Sequence, residues 1–216
     1  MSKSELYLLY DDIKEKKFIG YELAERTEVK ILRLLVNAGI SKRFLSADIQ
    51  SVPESLRKAT EGFVIGKGYY IYGEIGSGKT YLLSALINDR ILKSYEKYSD
   101  LQILPKFESV PSILLAVKNC FKDRSETSEE DIIYRYSQYS CLVLDDLGTE
   151  KLSEWVLQTL YSIVDNRYRD EKQTVFTSNL DLNQIKDRIG DRIPSRIAEM
   201  CQIVHIKGRD RRLKAK

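Results

Sequence analysis

The chain has 216 residues, of which 43% are hydrophobic and 31% charged, and its formal net charge is +3. These values fit one globular domain with a substantial core. They exclude a bilayer-spanning apolar run, and the net charge is too small to argue for nucleic acid by itself. Asp11, Asp12 and Glu15 break any signal-peptide core early, and Cys120, Cys141 and Cys201 form an odd, widely spaced set. A cytoplasmic, reducing setting with buried thiols is therefore expected, and a zinc ribbon built from these cysteines is not.

Residues 1–50 read as a short helical N-terminal arm. Ser4 is placed to cap a helix carrying Leu6, Leu8, Leu9 and Ile13. A second helix is expected over 22–38, with Val29, Ile31, Leu32, Leu34 and Leu35 at its apolar positions and Gly39 at its end. Pro53 and the stretch 62–68 punctuate the approach to a core assigned to 51–206. No internal repeat or low-complexity segment is visible.

The core opens with Gly68-Tyr69-Tyr70-Ile71-Tyr72, an aromatic and β-branched stretch that reads as a buried strand. Gly73-Glu74-Ile75-Gly76-Ser77-Gly78-Lys79-Thr80 follows and spells a complete P-loop, and Tyr81 continues into a good helix start. Strand, glycine loop and helix together make an anion site. The loop lets backbone N–H groups converge on phosphate oxygens, and the helix N-terminus adds a favourable dipole. Gly73, Ile75, Gly76, Ser77, Gly78, Lys79, Thr80 and Tyr81 are the expected ATP contacts. Lys79 faces the β- and γ-phosphates, and the Thr80 hydroxyl faces Mg²⁺.

Strands and helices then alternate. A second strand is expected over 101–107, a helix over 111–121, a polar turn over 125–128 and a helix over 129–136. Cys141-Leu142-Val143-Leu144 is a short apolar strand ending in Asp145-Asp146. Ser153 caps a helix that keeps Val156, Leu157, Leu160, Ile163 and Val164 on one face. Thr174-Val175-Phe176-Thr177 makes a fourth strand, and 202–206 a fifth. Strands separated by helices imply a parallel α/β sheet covered on both faces, with ligands at the carboxyl ends of the strands.

An apolar strand ending in an acid, downstream of a P-loop, is the Walker-B pattern. Asp145 is the expected Mg²⁺ residue and Asp146 the residue that orients an attacking water, with Glu150 as a helper. The competing reading of Asp145-Asp146 before Gly148 is a strand-end turn. Asn179 could position the water and feel the γ-phosphate, or be an Asx-type turn residue. Arg192 and Arg196 stand four apart and share a face on a helix, and Pro194 fits only its first turn, which would set Arg192 just before the helix. Both arginines could spread phosphate charge or form surface salt bridges. The basic tail 207–216 and the group Lys118, Lys122 and Arg124 could touch nucleic acid or stay solvated. His205 reads as a core or edge residue and Trp155 as packing.

At this point the chain resembles AAA+ ATPases of the bacterial helicase-loader group, DnaC/DnaI-like, with the IstB transposon helpers as close kin. The likeness covers residue 39 onward. It rests on the P-loop, on Leu142-Val143-Leu144-Asp145-Asp146-Leu147-Gly148, on Asp165-Asn166-Arg167-Tyr168, on Phe176-Thr177-Ser178-Asn179-Leu180, and on Gly190-Asp191-Arg192 through Ser195-Arg196-Ile197. Gly39-Ile40-Ser41-Lys42-Arg43-Phe44 resembles the segment that loaders carry before the core. The resemblance implies a P-loop NTPase with a five-stranded parallel sheet ordered 5-1-4-3-2; the helical lid usual in AAA+ enzymes is expected to be reduced or absent here, a departure from the family pattern. It implies ATP held between subunits, Asn179 as sensor 1, Arg196 as a trans arginine finger and Arg192 as a second interface arginine. The partners implied are a replicative DNA helicase, single-stranded DNA and further copies of the chain, with no membrane. Alternatives are a transposition helper ATPase on duplex DNA and a nucleotide-switched binding module with little turnover. A small-molecule kinase would need an acceptor pocket and an Arg-rich lid, neither of which the sequence displays.

Overall fold

The structure, a computed structural model, describes residues 3–15, 26–63, 66–98, 105–120, 127–149 and 153–208. Its centre is a parallel sheet of β1 (Gly68–Tyr72), β2 (Lys106–Ser109), β3 (Cys141–Asp145), β4 (Gln173–Ser178) and β5 (Cys201–His205), in the order β2-β3-β4-β1-β5. This is the expected 5-1-4-3-2 order. Parallel pairing sets Tyr72 beside Ser178 and Ser109 beside Asp145, so the carboxyl ends of four strands meet at one edge.

Period-two alternation divides the core. Tyr70, Leu142, Leu144 and Phe176 point to one face, which is covered by α5 (Val110–Cys120), α6 (Glu129–Gln138), α7 (Glu154–Arg169), α8 (Leu182–Ile189) and α9 (Arg192–Met200). Tyr69, Ile71, Val143 and Val175 point to the other, against the P-loop helix α4 (Lys79–Tyr98). Leu35, Ala38, Ile40, Ala47 and Val52 join that second cluster, so the later half of the first 50 residues packs onto α4. Upstream, α1 (Lys3–Lys14) and α2 (Thr27–Asn37) form a small cluster around Leu9, Tyr10, Val29 and Leu32, while Leu8 faces solvent.

Several boundaries differ from the sequence expectations. Of the helix expected over 22–38, residues 22–25 lie outside the described residues and the helix starts at Thr27. Gly39 ends it at φ +89°, and a Cβ there would meet Phe107 O at 2.1 Å. The second strand is displaced toward the C-terminus, to Lys106–Ser109, and residues 101–104 lie outside the described residues. An edge strand tolerates the polar Lys106, Glu108 and Ser109, which hid it from an apolar search. Two helices are not evident from the sequence, α3 (Glu54–Ala59) and α8. The second carries a capping box in which Asp181 and Gln184 exchange side-chain bonds with each other's backbone N–H. Arg192 is the first residue of α9 rather than the residue before it, and Pro194 sits in the first turn.

Arg167 explains a motif to which sequence reasoning assigns no separate role. It is fully buried and donates to Thr174 Oγ1, to the carbonyls of Tyr136, Ser137 and Tyr139, and to Gln173 O. One guanidinium thus ties the end of α6 and the start of β4 to α7. Burial pulls its pKa down to about 10. Trp155 Nε1 and Thr159 Oγ1 both donate to Glu129 Oε1, joining α7 to α6.

Candidate functional site

The P-loop lies between β1 and α4, above the carboxyl ends of β1, β3 and β4. Gly76 and Gly78 take φ +75° and +103°, where side-chained residues are strained, and so allow the loop its tight turn. Lys79 is 6% exposed; its Nζ donates to Gly73 O at 2.7 Å, Glu74 O at 2.9 Å and Asn179 Oδ1 at 2.7 Å. Thr80 Oγ1 approaches Asp145 Oδ2 at 3.2 Å. The buried Ser77 Oγ has no hydrogen-bond partner.

The two adjacent acids diverge. Asp145 ends β3 and is buried, and it accepts from Thr177 Oγ1. Burial raises its pKa; the Thr177 hydroxyl opposes that shift and the neighbouring Asp146 adds to it. Asp146 turns through φ +61°, a conformation that Asp tolerates better than most residues. Its N–H donates to Thr177 Oγ1 at 2.9 Å, and the residue lines the cavity. Thr177 therefore holds both acids in place. The strand-end turn and the divergent pair coexist here.

Asn179 is not the residue that makes its local turn. The side-chain bond there runs from Leu180 N–H to Ser178 Oγ, and Ser178 Oγ in turn donates to Leu147 O. The Asn179 amide is thus spared that duty and faces Lys79.

These groups enclose one cavity of about 600 Å³, lined by Ile75, Gly76, Gly78, Lys79, Thr80, Tyr81, Asp146 and Asn179 on the loop side. Arg43, Phe44, Ser51 and Thr149 complete the lining. Phe44 meets Tyr81 edge-on at 6.4 Å, and Asp48 N–H donates to Tyr81 OH at 3.3 Å. The residues fit a nucleoside triphosphate with its metal. An open cavity of this volume, a glycine cradle, a buried lysine, a paired hydroxyl and carboxylate, and the partnerless Ser77 hydroxyl are what polyphosphate and Mg²⁺ require.

Residues 67–216 match the family of IstB-like ATP binding proteins. The chain belongs to that family. It is 28% identical over 122 residues to the replicative helicase loader DnaI of Bacillus subtilis, covering 56% of this chain and 36% of that one. It is 25% identical over 186 residues to the replicative helicase loader DnaC of Buchnera aphidicola, covering 81% and 72%. A crystal structure of the DnaC helicase loader superposes with a TM-score of 0.64 at 27% identity, covering 77% of this chain and all of that one. By family and fold this is a AAA+ ATPase of the IstB and DnaC/DnaI kind.

Two arginines predicted for the site of this IstB-like protein lie outside the cavity. Arg196 Nε contacts Asp165 Oδ1 at 3.1 Å, and its guanidinium lies 4.4 Å over the Tyr168 ring. The Arg192 guanidinium lies 5.6 Å from the Tyr161 ring. The two share one face of α9, packed along α7. Lys122, Arg124, Glu150 and residues 209–216 lie outside the described residues. His205 sits at the exposed edge of β5, stacked on Tyr72 at 4.5 Å. Cys141 and Cys201 are buried thiols that burial pushes up to about 11 and about 12.

Sequence reasoning missed Arg43, Phe44, Ser51 and Thr177 as site residues. For the first two a signal existed in the Gly39–Phe44 stretch, and for Thr177 in its place just before Asn179. Ser51 had none. Among the described residues no helix is long and apolar enough to cross a membrane.

Proposed function

We propose that this chain is an ATP-switched assembly factor that helps place a replicative DNA helicase on single-stranded DNA. One observation carries the mechanism: Lys79, Asn179 and Asp146 line one cavity, while Arg192 and Arg196 lie outside it on α9. The cavity holds phosphate-binding, sensing and water-orienting groups, and the one arginine among its described lining residues, Arg43, is assigned to the base, so an arginine for the γ-phosphate comes from outside. A head-to-tail contact between copies supplies that arginine, and such contacts make rings or filaments.

In this reading Gly76, Ser77 and Gly78 turn N–H groups toward phosphate oxygens, and Lys79 leaves Asn179 to pair with them. The base lies against Arg43, Phe44 and Tyr81. Thr80 and Asp145 hold Mg²⁺, which when bound neutralises charge on the β- and γ-phosphates. Asp146 orients the attacking water, and Asn179, released from Lys79, reads the γ-phosphate. Arg196 of one copy reaches the phosphates of the next, with Arg192 beside it at the interface.

The helicase half of the reading is supported by the names of the similar proteins, which are replicative helicase loaders. Within the arm 1–50, the first part serves to meet the partner, while residues 35–50 join the ATPase core of residues 51–206 and carry the base wall. Residues 207–216 serve as a basic tail for DNA phosphates. The IstB family match favours a second reading, a transposition helper acting on duplex DNA. A pull-down on the full chain with a replicative helicase and with a transposase, each with ATP and with ADP, separates the two. Retention of the helicase, stronger with ATP, is expected. Retention of the transposase alone would favour the second reading, and retention of neither would remove the partner assignment.

A further inference from the structure

Three backbone carbonyls from far upstream converge on one side chain of the P-loop helix. Asn88 Nδ2 donates to Phe44 O at 3.1 Å, Leu45 O at 3.3 Å and Ala47 O at 2.9 Å. Asn88 is 4% exposed. Its orientation is fixed by the contacts, because the flipped amide would set its oxygen against three carbonyl oxygens. The Oδ1 atom has no partner. The side chain therefore acts here purely as a donor.

A buried asparagine in the middle of a helix needs a reason. It is a poorer helix former than the leucines and alanine around it, and its neighbours Ile87 and Ile91 are fully buried apolar residues. The reason is in what its acceptors carry. The turn it grips holds Arg43 and Phe44, which line the same cavity as the P-loop, and leads on to Ser51. Tyr81 meets the same segment from the cavity side, through the Phe44 ring and Asp48 N–H. Tyr81 and Asn88 are about two turns apart on α4, the helix that begins with Lys79 and Thr80. One rigid element therefore sets both the phosphate end of the cavity and its Arg43–Phe44 wall.

We infer that Asn88 is a positioning residue for base recognition: it fixes the Arg43–Phe44 wall at a set distance from the P-loop, so that the cavity selects a purine over a pyrimidine. This rests on the proposed placement of the base against that wall. Without the amide donors, Leu45 O and Ala47 O lose the bond from Asn88, Phe44 O keeps only the Ala47 N–H, and the 44–47 turn loosens. The phosphate contacts come from residues 73–80 and do not depend on it.

The test uses the full chain, with ATP and UTP competing against a fluorescent ADP analogue. UTP keeps the ribose and triphosphate and changes only the base. The wild type should prefer ATP by about tenfold or more, equivalent to about 1.4 kcal/mol. Asn88→Ala should lose about tenfold in ATP affinity but only about threefold or less for UTP, so that the preference collapses. An equal loss for both nucleotides, or a retained preference, overturns the positioning role. A wild type that binds both alike overturns the base-wall placement itself, and the inference with it. Asn88→Leu removes the donors while filling the volume, and it serves if the alanine variant does not fold. Amide exchange gives a second readout. Faster exchange over 44–52 with α4 unchanged is expected, and unchanged exchange over 44–52 in a donor-less variant rejects the inference.

Discussion

Lys79 and Asn179 are bonded across the cavity, with Nζ donating to Oδ1 over 2.7 Å. The P-loop lysine and the residue after β4 thus share one contact, and a phosphate oxygen at Lys79 competes directly with the Asn179 amide. Asn179→Ala removes that competitor. ATP affinity should hold or rise slightly, while hydrolysis falls about 100-fold, the scale of losing one preorganised polar group. Lys79→Ala should instead abolish tight ATP binding in a folded protein. Calorimetry, single-turnover hydrolysis and a thermal melt distinguish the two. Equal binding losses in both variants would contradict the shared contact.

Asp145 and Asp146 should separate on pH as well as on activity. The folded-state pKa of Asp145 is raised, chiefly by burial. For a raised pKa the stabilising contribution is full below the unfolded value and is lost as pH rises through the folded value. The ionised Asp145 therefore costs stability as pH rises through the folded value. Asp145→Asn should melt above wild type on the alkaline side of that transition, and the difference should shrink as pH falls below the raised pKa. The same variant should bind ATP with weaker Mg²⁺ dependence. Asp146→Asn should keep ATP–Mg²⁺ binding and slow hydrolysis. Matching behaviour of the two variants would show that the adjacent acids do not divide these roles.

Arg167 should be a stability residue with no role at the nucleotide. It donates to neutral oxygens, four of them backbone carbonyls and one the Thr174 hydroxyl. Truncation removes the one side chain that joins those acceptors. Arg167→Ala should cost about 3 to 5 kcal/mol, as for removal of one member of a buried polar network. Urea unfolding measures it. A destabilisation below about 1 kcal/mol would mean that water replaces the guanidinium.

Salt dependence tests the single-strand proposal. The tail 207–216 and Lys118 on α5 are the expected phosphate contacts. Anisotropy of a labelled oligonucleotide should show tighter binding with an ATP analogue than with ADP, and affinity should fall steeply with salt. Deleting 207–216 should lower the log–log salt slope by roughly 0.7 for each phosphate that the tail neutralises. Equal binding with both nucleotides would move the reading toward a partner-only or duplex-binding role.

Most of the fold is legible in the sequence because the buried strands are apolar and the motifs sit at their ends. Gly68–Tyr72, Cys141–Asp145 and Gln173–Ser178 are buried almost throughout, which is the pattern that sequence displays best. The edge strand Lys106–Ser109 lies off its expected position because half-burial permits polar residues there. The 3-10 turns Lys42–Phe44 and Ile49–Ser51 carry no periodicity, so their part of the cavity wall stays invisible to pattern reading. Thr177 is missed for another reason. Its role is to hold two acids that are distant in sequence, and only parallel pairing of β3 with β4 brings them together.

Arg196 should act on a neighbour's ATP. In its own chain it is held by Asp165 and lies over Tyr168, with its side chain 31% exposed, on α9 and outside the cavity. Asp165 also pairs with Arg169 at 2.8 Å, so one buried carboxylate anchors two guanidinium groups on this face. That anchoring holds the arginine in place for a surface it could meet on another copy. Arg196→Ala should bind ATP as the wild type does and hydrolyse it about 10³-fold more slowly, the lower end of the effect of a trans arginine. Mixed with Lys79→Ala, it should regain part of the activity. Lys79→Ala donates an intact Arg196, and Arg196→Ala donates an intact P-loop. Activity is measured across mixing ratios, with mixed oligomers confirmed by labelled subunits. Rescue that peaks near equal amounts is the expected result. Mixed oligomers with no rescue at any ratio would confine Arg196 to its bond with Asp165.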